Sequence, residues 1–241
     1  MPPVEEMIDV YDAEGRSLGR ATSRSAHTEG LWHRSFHCWV AHQRADGVKV
    51  VLVQRRGPYK RDYPNCLDVS VAGHYQAGER VEGGIREFKE ELGVSVEAWQ
   101  LRRVACRTIN EYLDGGTVNR EFQDIYFLLE AIDPHACTPS YPEVGGVFQA
   151  PVEALARLLD GEVDTVPCHG VAFDPASGKV APTRLAATID SFIPAARSYL
   201  KVIMRELDSH LDGKPPSRHS GQGQQAKATV VLDDGSLWKP T

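Results

Sequence analysis

Three glutamates spaced i, i+3 and i+4 (Glu87, Glu90 and Glu91) constrain this 241-residue chain more than any other feature. Residues 82–92 read as a helix stopped by Gly93, a residue type that commonly closes helices. At that spacing the three carboxylates share roughly 100° of one helix face. Like charges so placed repel, costing a few tenths of a kcal/mol per pair. A solvated acidic face is the plain explanation for such a cluster taken alone. The flanking residues argue for a ligand instead. Gly73, Gly78 and Glu79 precede the helix at the end of a strand-like run, where glycines let backbone approach a bound group closely. A hard divalent cation fits this donor set: Mg²⁺ prefers carboxylate oxygen and bridges readily to phosphate. Arg86, four residues before Glu90, is placed to pair with it.

The rest of the composition narrows the class. A net charge of −6 argues against a nucleic-acid polymer or an anionic membrane as partner. The five cysteines (Cys38, Cys66, Cys106, Cys137, Cys168) are odd in number and never spaced as a C-x-x-C pair. They read as reduced thiols of a cytoplasmic protein rather than a disulfide framework or zinc ribbon. The acidic start MPPVEEMIDVYD lacks an apolar run, so no signal peptide is expected. No stretch of about 18 apolar residues predicts a membrane span.

Along the chain, Met7–Tyr11 alternates and meets a turn at Asp12–Gly15, the pattern of a hairpin. A short helical turn is expected over Ser25–Gly30. Strands are expected at Phe36–Ala41, Val48–Gln54 and Leu67–Val71, the first two joined at Asp46-Gly47. Further strands are expected over 101–111, 121–130 and Gly145–Ala150, followed by a helix over Pro151–Leu159 opened by proline. Helical periodicity is read over 183–210, with Phe192, Ile193, Ala196, Tyr199, Leu200 and Ile203 on one face. Residues 213–228 have the composition of a linker, and Val230–Leu232 of one more short strand. The expected organisation is a core over 1–135, its end and a helical extension over 136–212, and a flexible tail over 213–241. The fold class is α/β, a mixed sheet flanked by helices.

The string from Gly73 to Val94 resembles the Nudix box, G-x5-E-x7-R-E-U-x-E-E-x-G-U, with U a bulky apolar residue. Gly73, Glu79, Arg86, Glu87, Phe88, Glu90, Glu91, Gly93 and Val94 supply each specified type in order. Six residues rather than seven separate Glu79 from Arg86, which alters the reach of Glu79 and the helix's first turn. The resemblance implies an α/β/α sandwich and a Mg²⁺- or Mn²⁺-dependent hydrolase of diphosphate linkages. It implies Glu87, Glu90 and Glu91 as metal ligands, with Glu87, Glu90 and Arg86 in the catalytic step and Gly73 and Glu79 as orienting residues.

Beyond the box, Gly30-Leu-Trp-His33, Gln54-Arg55-Arg56, Tyr63-Pro64 and Ala72-Gly73-His74 resemble the isopentenyl-diphosphate isomerase-like branch of that family. Its isomerases carry a cysteine where this chain has Ala72, and protonating an alkene needs such an acid. Hydrolysis of a nucleoside diphosphate derivative is therefore expected ahead of isomerisation, with a thiamine or prenyl diphosphate as further substrate classes. A non-catalytic nucleotide-binding sensor would be expected to lose a box glutamate, and this chain keeps them all. By the same resemblance His27, His33, His74 and Glu121 form a candidate second metal site. His37, on an apolar strand, reads as structural. Arg55, Arg56 and Lys60 are the candidate phosphate binders, since guanidinium forks match phosphate oxygens, and His33 and His74 are expected to line the substrate pocket. The extension is expected to dock on the core, with a homodimer contact as its alternative role.

Overall fold

In the computed structural model, residues 5–113, 116–213, 230–231 and 237–240 are described. The chain opens with a hairpin, β1 (Met7–Tyr11) and β2 (Ser17–Thr22), followed by helix α1 (Ser23–Glu29). Thr22 caps α1 through its hydroxyl and Gly30 closes it in the left-handed conformation, φ 65°. The long strand β3 (Trp32–Gln43) then runs through the middle of the molecule. It pairs in parallel with β8 (Val118–Leu128) over His33–Val40. Its other edge is shared. Ser35–Cys38 bind β6 (Val71–His74), and Ala41–Gln43 bind β4 (Lys49–Arg56), all antiparallel. The sheet therefore forks at β3, and a cavity opens in the gap between the two prongs.

The prong on β4 continues through β9 (Val144–Pro151), β10 (Val166–Asp174) and β11 (Lys179–Ala187), with β5 (Leu67–Asp68) on the other edge of β4. The other side extends from β8 to β7 (Leu101–Tyr112) and then to β13 (Leu237–Pro240), which carries β12 (Val230–Val231). Alternation along β3 fills both faces of the sheet. Phe36, Cys38 and Val40 pack with Phe88 and Leu92 of helix α3 (Arg86–Leu92) on one face. Trp39 and Ala41 pack on the other with α4 (Val152–Leu159) and α5 (Arg197–Leu211). The result is the α/β/α sandwich expected.

Two helical expectations change. The helix over 82–92 is interrupted: α2 (Val81–Gly84) ends before α3 begins at Arg86. Gly83 and Gly84, weak helix formers, stand at the break, and neither has room for a side chain. A β-carbon on Gly83 would sit 2.3 Å from the carboxyl carbon of Glu79, and one on Gly84 2.5 Å from Phe36. The helix over 183–210 begins only at Arg197; residues 179–187 are the outer strand of a hairpin whose turn carries Gly178 at φ 67°. In this hairpin the apolar residues alternate in burial, so period two governs it. From Tyr199 onward the expected apolar face does dock: Tyr199, Leu200, Ile203, Met204 and Leu207 are buried against the sheet. Much of the tail expected over 213–241 (214–229, 232–236 and 241) lies outside the described residues. No helix among the described residues is long and apolar enough to cross a membrane.

Candidate active site

A cavity of about 950 Å³ opens in the fork of the sheet. Its acidic wall comes from α3 and the end of β6. Glu87 and Glu91 are buried there, 8% and 6% exposed. Glu91 accepts hydrogen bonds from the Ala72 amide at 3.1 Å and from the Gln54 side chain at 3.3 Å. Burial, with Glu87 beside it, pushes Glu91 up to about 8; burial likewise pushes Glu87 up to about 7, against the pull of Arg86. Two carboxyls held near neutrality by loss of water make up a site that a divalent cation would complete. The donor set fits one.

Arg86 organises this wall. One terminal nitrogen donates to Glu90 at 2.6 Å; the other lies 3.0 Å from Glu87 and 3.7 Å from Glu79. Glu90 is exposed and paired with Arg86, and it lines the same cavity as Glu87 and Glu91. Glu79 accepts from the Gln76 amide at 2.8 Å, which fixes the loop despite its missing residue. Gly73 stands against Glu87 with no room for a side chain. A residue not anticipated from the sequence joins them: Glu143 lines the cavity and adds to the negative field at Glu87 and Glu91. It belongs to a turn far from the box, whose residue Glu143 binds the Gly57 amide through its carbonyl, so no local spacing announced it.

The opposite wall is built from histidines. The ligand atoms of His27, His33, His74 and Glu121 all lie within 4.8 Å of one another. The Nδ1 atoms of His27 and His33 face the carbonyls of Ser23 and Leu31 at 2.8 and 3.0 Å. With those nitrogens donating, each Nε2 presents its lone pair. The Nε2 of His33 is buried without a hydrogen-bond partner, 3.7 Å from Glu121. Glu121 is held well below the usual carboxylate range, where its histidine neighbours outweigh its burial. This geometry suits an imidazole-accepting divalent metal. His74, at the end of β6, adjoins Ser23 and Glu6, each at 3.5 Å. His37, expected to be structural, lines the cavity with its buried Nδ1 unpartnered.

The candidate phosphate binders divide. Arg56 and Lys60 line the cavity, but Arg56 donates to Asp68 and to the Asp62 carbonyl, each at 2.9 Å, and Lys60 is paired with Glu143. Arg55 is not among the lining residues; it donates to the Gly145 carbonyl at 3.0 Å and lies over the Phe148 ring. Alternation on β4 turns it away from its neighbour. The floor carries another cation, Arg107, buried, 4.4 Å from the Tyr199 ring centre and 3.2 Å from the Gln123 oxygen.

Comparison with known proteins agrees with this geometry. Residues 31–171 match the NUDIX domain family. An uncharacterized Nudix hydrolase of Clostridium acetobutylicum is 34% identical over 204 residues, covering 84% of this chain and 97% of that protein. An isopentenyl-diphosphate Delta-isomerase of Serratia proteamaculans is 28% identical over 124 residues, covering 51% of this chain and 65% of that protein. Among solved structures, a NUDIX hydrolase from Alicyclobacillus acidocaldarius aligns with a TM-score of 0.46 and 12% identity, covering 76% of this chain and 97% of the other. With the family model matched over more than half of the chain, and with Gly73, Arg86, Glu87, Glu90 and Glu91 of the box lining one cavity, the chain belongs to the Nudix hydrolases.

Proposed function

We propose that this hydrolase cleaves the diphosphate linkage of a nucleoside diphosphate derivative, with Mg²⁺ or Mn²⁺ held by Glu87, Glu91 and Glu90. The observation that carries this reading is the buried pair Glu87 and Glu91 on the cavity wall, both carboxyls raised by burial and by each other's or a neighbouring glutamate's charge. When bound, the metal would neutralise diphosphate charge and lower the pKa of an attacking water. The chain's own residues do the rest. Arg86 holds Glu90 and Glu87 in position, the Ala72 amide and Gln54 hold Glu91, and Glu143 supplies a further carboxylate within the same field. Arg56, Lys60 and Arg107 line the cavity as cations for a substrate phosphate. The packing of Arg55 favours a structural role at the strand end.

His27, His33, His74 and Glu121 support a second metal on the facing wall. That cluster, together with the likeness to the Serratia isomerase, is the observation favouring isomerisation as a second reading. Against it, Ala72 offers no acid, and no cysteine lines the cavity among the described residues. The five free cysteines are consistent with a reducing, cytoplasmic setting.

The test is turnover of a panel of nucleoside diphosphates, dinucleoside polyphosphates, nucleotide sugars, and thiamine and prenyl diphosphates, with and without Mg²⁺ or Mn²⁺. Metal-dependent cleavage of one class, lost in Glu91→Gln and Glu90→Gln, supports the reading and names the substrate. Isomerisation of isopentenyl diphosphate without hydrolysis of any substrate would replace it.

A further inference from the structure

The catalytic cavity is larger than its carboxylates and histidines require. At about 950 Å³ it stands near the top of the roughly 300–1,000 Å³ range of small-molecule sites, more room than a diphosphate alone would fill. Leu67, Ile193, Ala195, Ala196 and Leu200 line a further part of it, together with Tyr199. None of these side chains carries a charge. All but Leu67 come from the start of the C-terminal extension, beyond the residues 31–171 that match the NUDIX domain family. This wall is therefore made mainly by the extension rather than by the matched domain.

The wall is tied to the core at several points. After β11 the chain makes two single 3₁₀ turns, Ile189–Ser191 and Pro194–Ala196, before α5 begins. Between the turns, buried Phe192 bridges in parallel to Leu67 at the start of β5. Arg197 donates back to the Ile189 carbonyl at 3.3 Å and to Asp190 at 3.0 Å. Tyr199 and Leu200, in the first turn of α5, are buried in the core. Ile193, Ala195 and Ala196 stay half-buried and face the cavity. Two cations adjoin this apolar surface. Arg107 lies 4.4 Å from the Tyr199 ring centre, and Asp68, next to Leu67, accepts from Arg56 at 2.9 Å. A phosphate chain drawn to Arg107 and Arg56 would lead its organic group onto the wall.

We propose that Ile193, Ala195, Ala196 and Leu200, with Leu67, form the subsite for the organic group of the substrate, and that this group is uncharged and has an apolar face. An apolar face gains by leaving water for such a surface. A charged group would lose its water there without gaining a partner. The two alanines set how far a bulky group can enter, and Ile193 supplies the largest half-buried contact. The extension is thereby a specificity element of the enzyme as well as part of its core. The proposal rests on the reading that the cavity takes a diphosphate derivative.

The test is steady-state kinetics of the full-length protein with Mg²⁺ on ADP and on isopentenyl diphosphate, beside calorimetric binding of each and of inorganic pyrophosphate, which has no organic group. Two variants change the wall in opposite directions: Ile193→Ala enlarges the space and Ala195→Phe fills it. Neither residue is fully buried, so both variants are expected to fold. Each is expected to weaken an accepted organic diphosphate about tenfold or more, in KM rather than kcat, as a lost or intruding apolar contact does. Affinity for pyrophosphate should stay at the wild-type value. Cleavage with a KM that either folded variant leaves unchanged would overturn the proposal while the hydrolase reading stood. An equal loss of pyrophosphate affinity would overturn it too, as would failure of both organic diphosphates to bind the wild-type protein. Binding that both variants weaken, with no cleavage of either compound, would uphold the subsite while the hydrolase reading failed for those compounds.

Discussion

A β-carbon placed on Gly73 would stand 2.2 Å from the carboxyl carbon of Glu87 and 2.3 Å from its Oε1. The first glycine of the box is therefore a spatial requirement of the second glutamate's carboxyl group, although fourteen positions separate them in the chain. Gly73 is fixed by its pairing with Phe36 in the sheet, so the end of the Glu87 side chain is what would have to move. Gly73→Ala is expected to fold, with its melting temperature slightly lowered, while Glu87 is displaced. A misplacement of about 1 Å at a reacting group can reduce turnover on the order of 100-fold. Steady-state kinetics beside circular dichroism would check this; wild-type kcat in a folded Gly73→Ala protein would refute it.

Arg86 spans Glu90, Glu87 and Glu79 through two terminal nitrogens, and one of them also donates to the His74 carbonyl at 3.4 Å. Lysine carries the charge but lacks the fork that reaches several carboxylates together. Arg86→Lys is thus expected to behave nearly as badly as Arg86→Gln. Removing a group that orients metal ligands lowers metal affinity or activity about 10–100-fold. The measurement is kcat/KM as a function of Mg²⁺ concentration for both variants. Full rescue by lysine would show that charge, rather than geometry, is what Arg86 supplies.

The contrast between Glu91 and Glu143 shows what the sequence could reveal. Glu91 was legible because it shares a helix with Glu87 and Glu90, and helix geometry converts spacing into proximity. Glu143 reaches the same field across a turn held to the end of β4, a relation that no periodicity encodes. Arg55 and Arg56 show the same limit at single-residue scale: adjacency on a strand sends side chains to opposite faces, and which face meets the cavity depends on β4 pairing with β5 and β9. The helix read over 183–210 reaches back into the 179–187 strand although its apolar face, Phe192 to Ile203, holds no residue of that strand. The glycines at 83 and 84 are visible as composition, but what excludes a side chain there, Glu79 and Phe36, is tertiary.

Helix α5 belongs to the core, and Tyr199 ties it there. The Trp39 indole donates to the Tyr199 hydroxyl at 2.8 Å, and both side chains are buried. The same ring lies against Arg107 on the cavity floor. Tyr199→Phe leaves the indole N–H buried without its partner, a loss of roughly 1–3 kcal/mol. Ile203→Ala, at a fully buried position, is expected to cost about 2–5 kcal/mol. Denaturant unfolding would measure both. Loss in a single cooperative transition is the expected outcome, and a separate early transition for the extension would show that it is only loosely attached.

The elevated carboxyls also fix how stability should respond to pH. Glu91 titrates near 8 and Glu87 near 7 in the folded protein, against about 4.5 for an ordinary glutamate. Between those values the folded state retains protons that the unfolded chain has released. While His27, His37 and His42, held low by burial, act the opposite way below the ordinary histidine value of 6.5, these two carboxyls therefore lower the stability of the metal-free protein as pH rises from about 4.5 to about 8. His33, lifted by Glu121 although burial opposes its charge, acts in the same direction, since its contribution is lost as pH rises through its folded pKa. Glu121, held low, matters only in more acid solution. Above the ordinary histidine value only the raised groups still change stability, so thermal unfolding without metal is expected lower at pH 8.5 than at pH 7, at roughly 2–4 °C per kcal/mol for a chain of this size. Glu91→Gln removes the larger of the two glutamate contributions while leaving His33 in place, so its profile should flatten without becoming level. Added Mg²⁺ binds the ionised carboxylates and should raise the wild-type melting temperature more at pH 8.5 than at pH 5.5. A profile that is flat or rising between pH 7 and 8.5 in the absence of metal, or a Mg²⁺ effect independent of pH, would mean that Glu87 and Glu91 are already ionised in the folded protein.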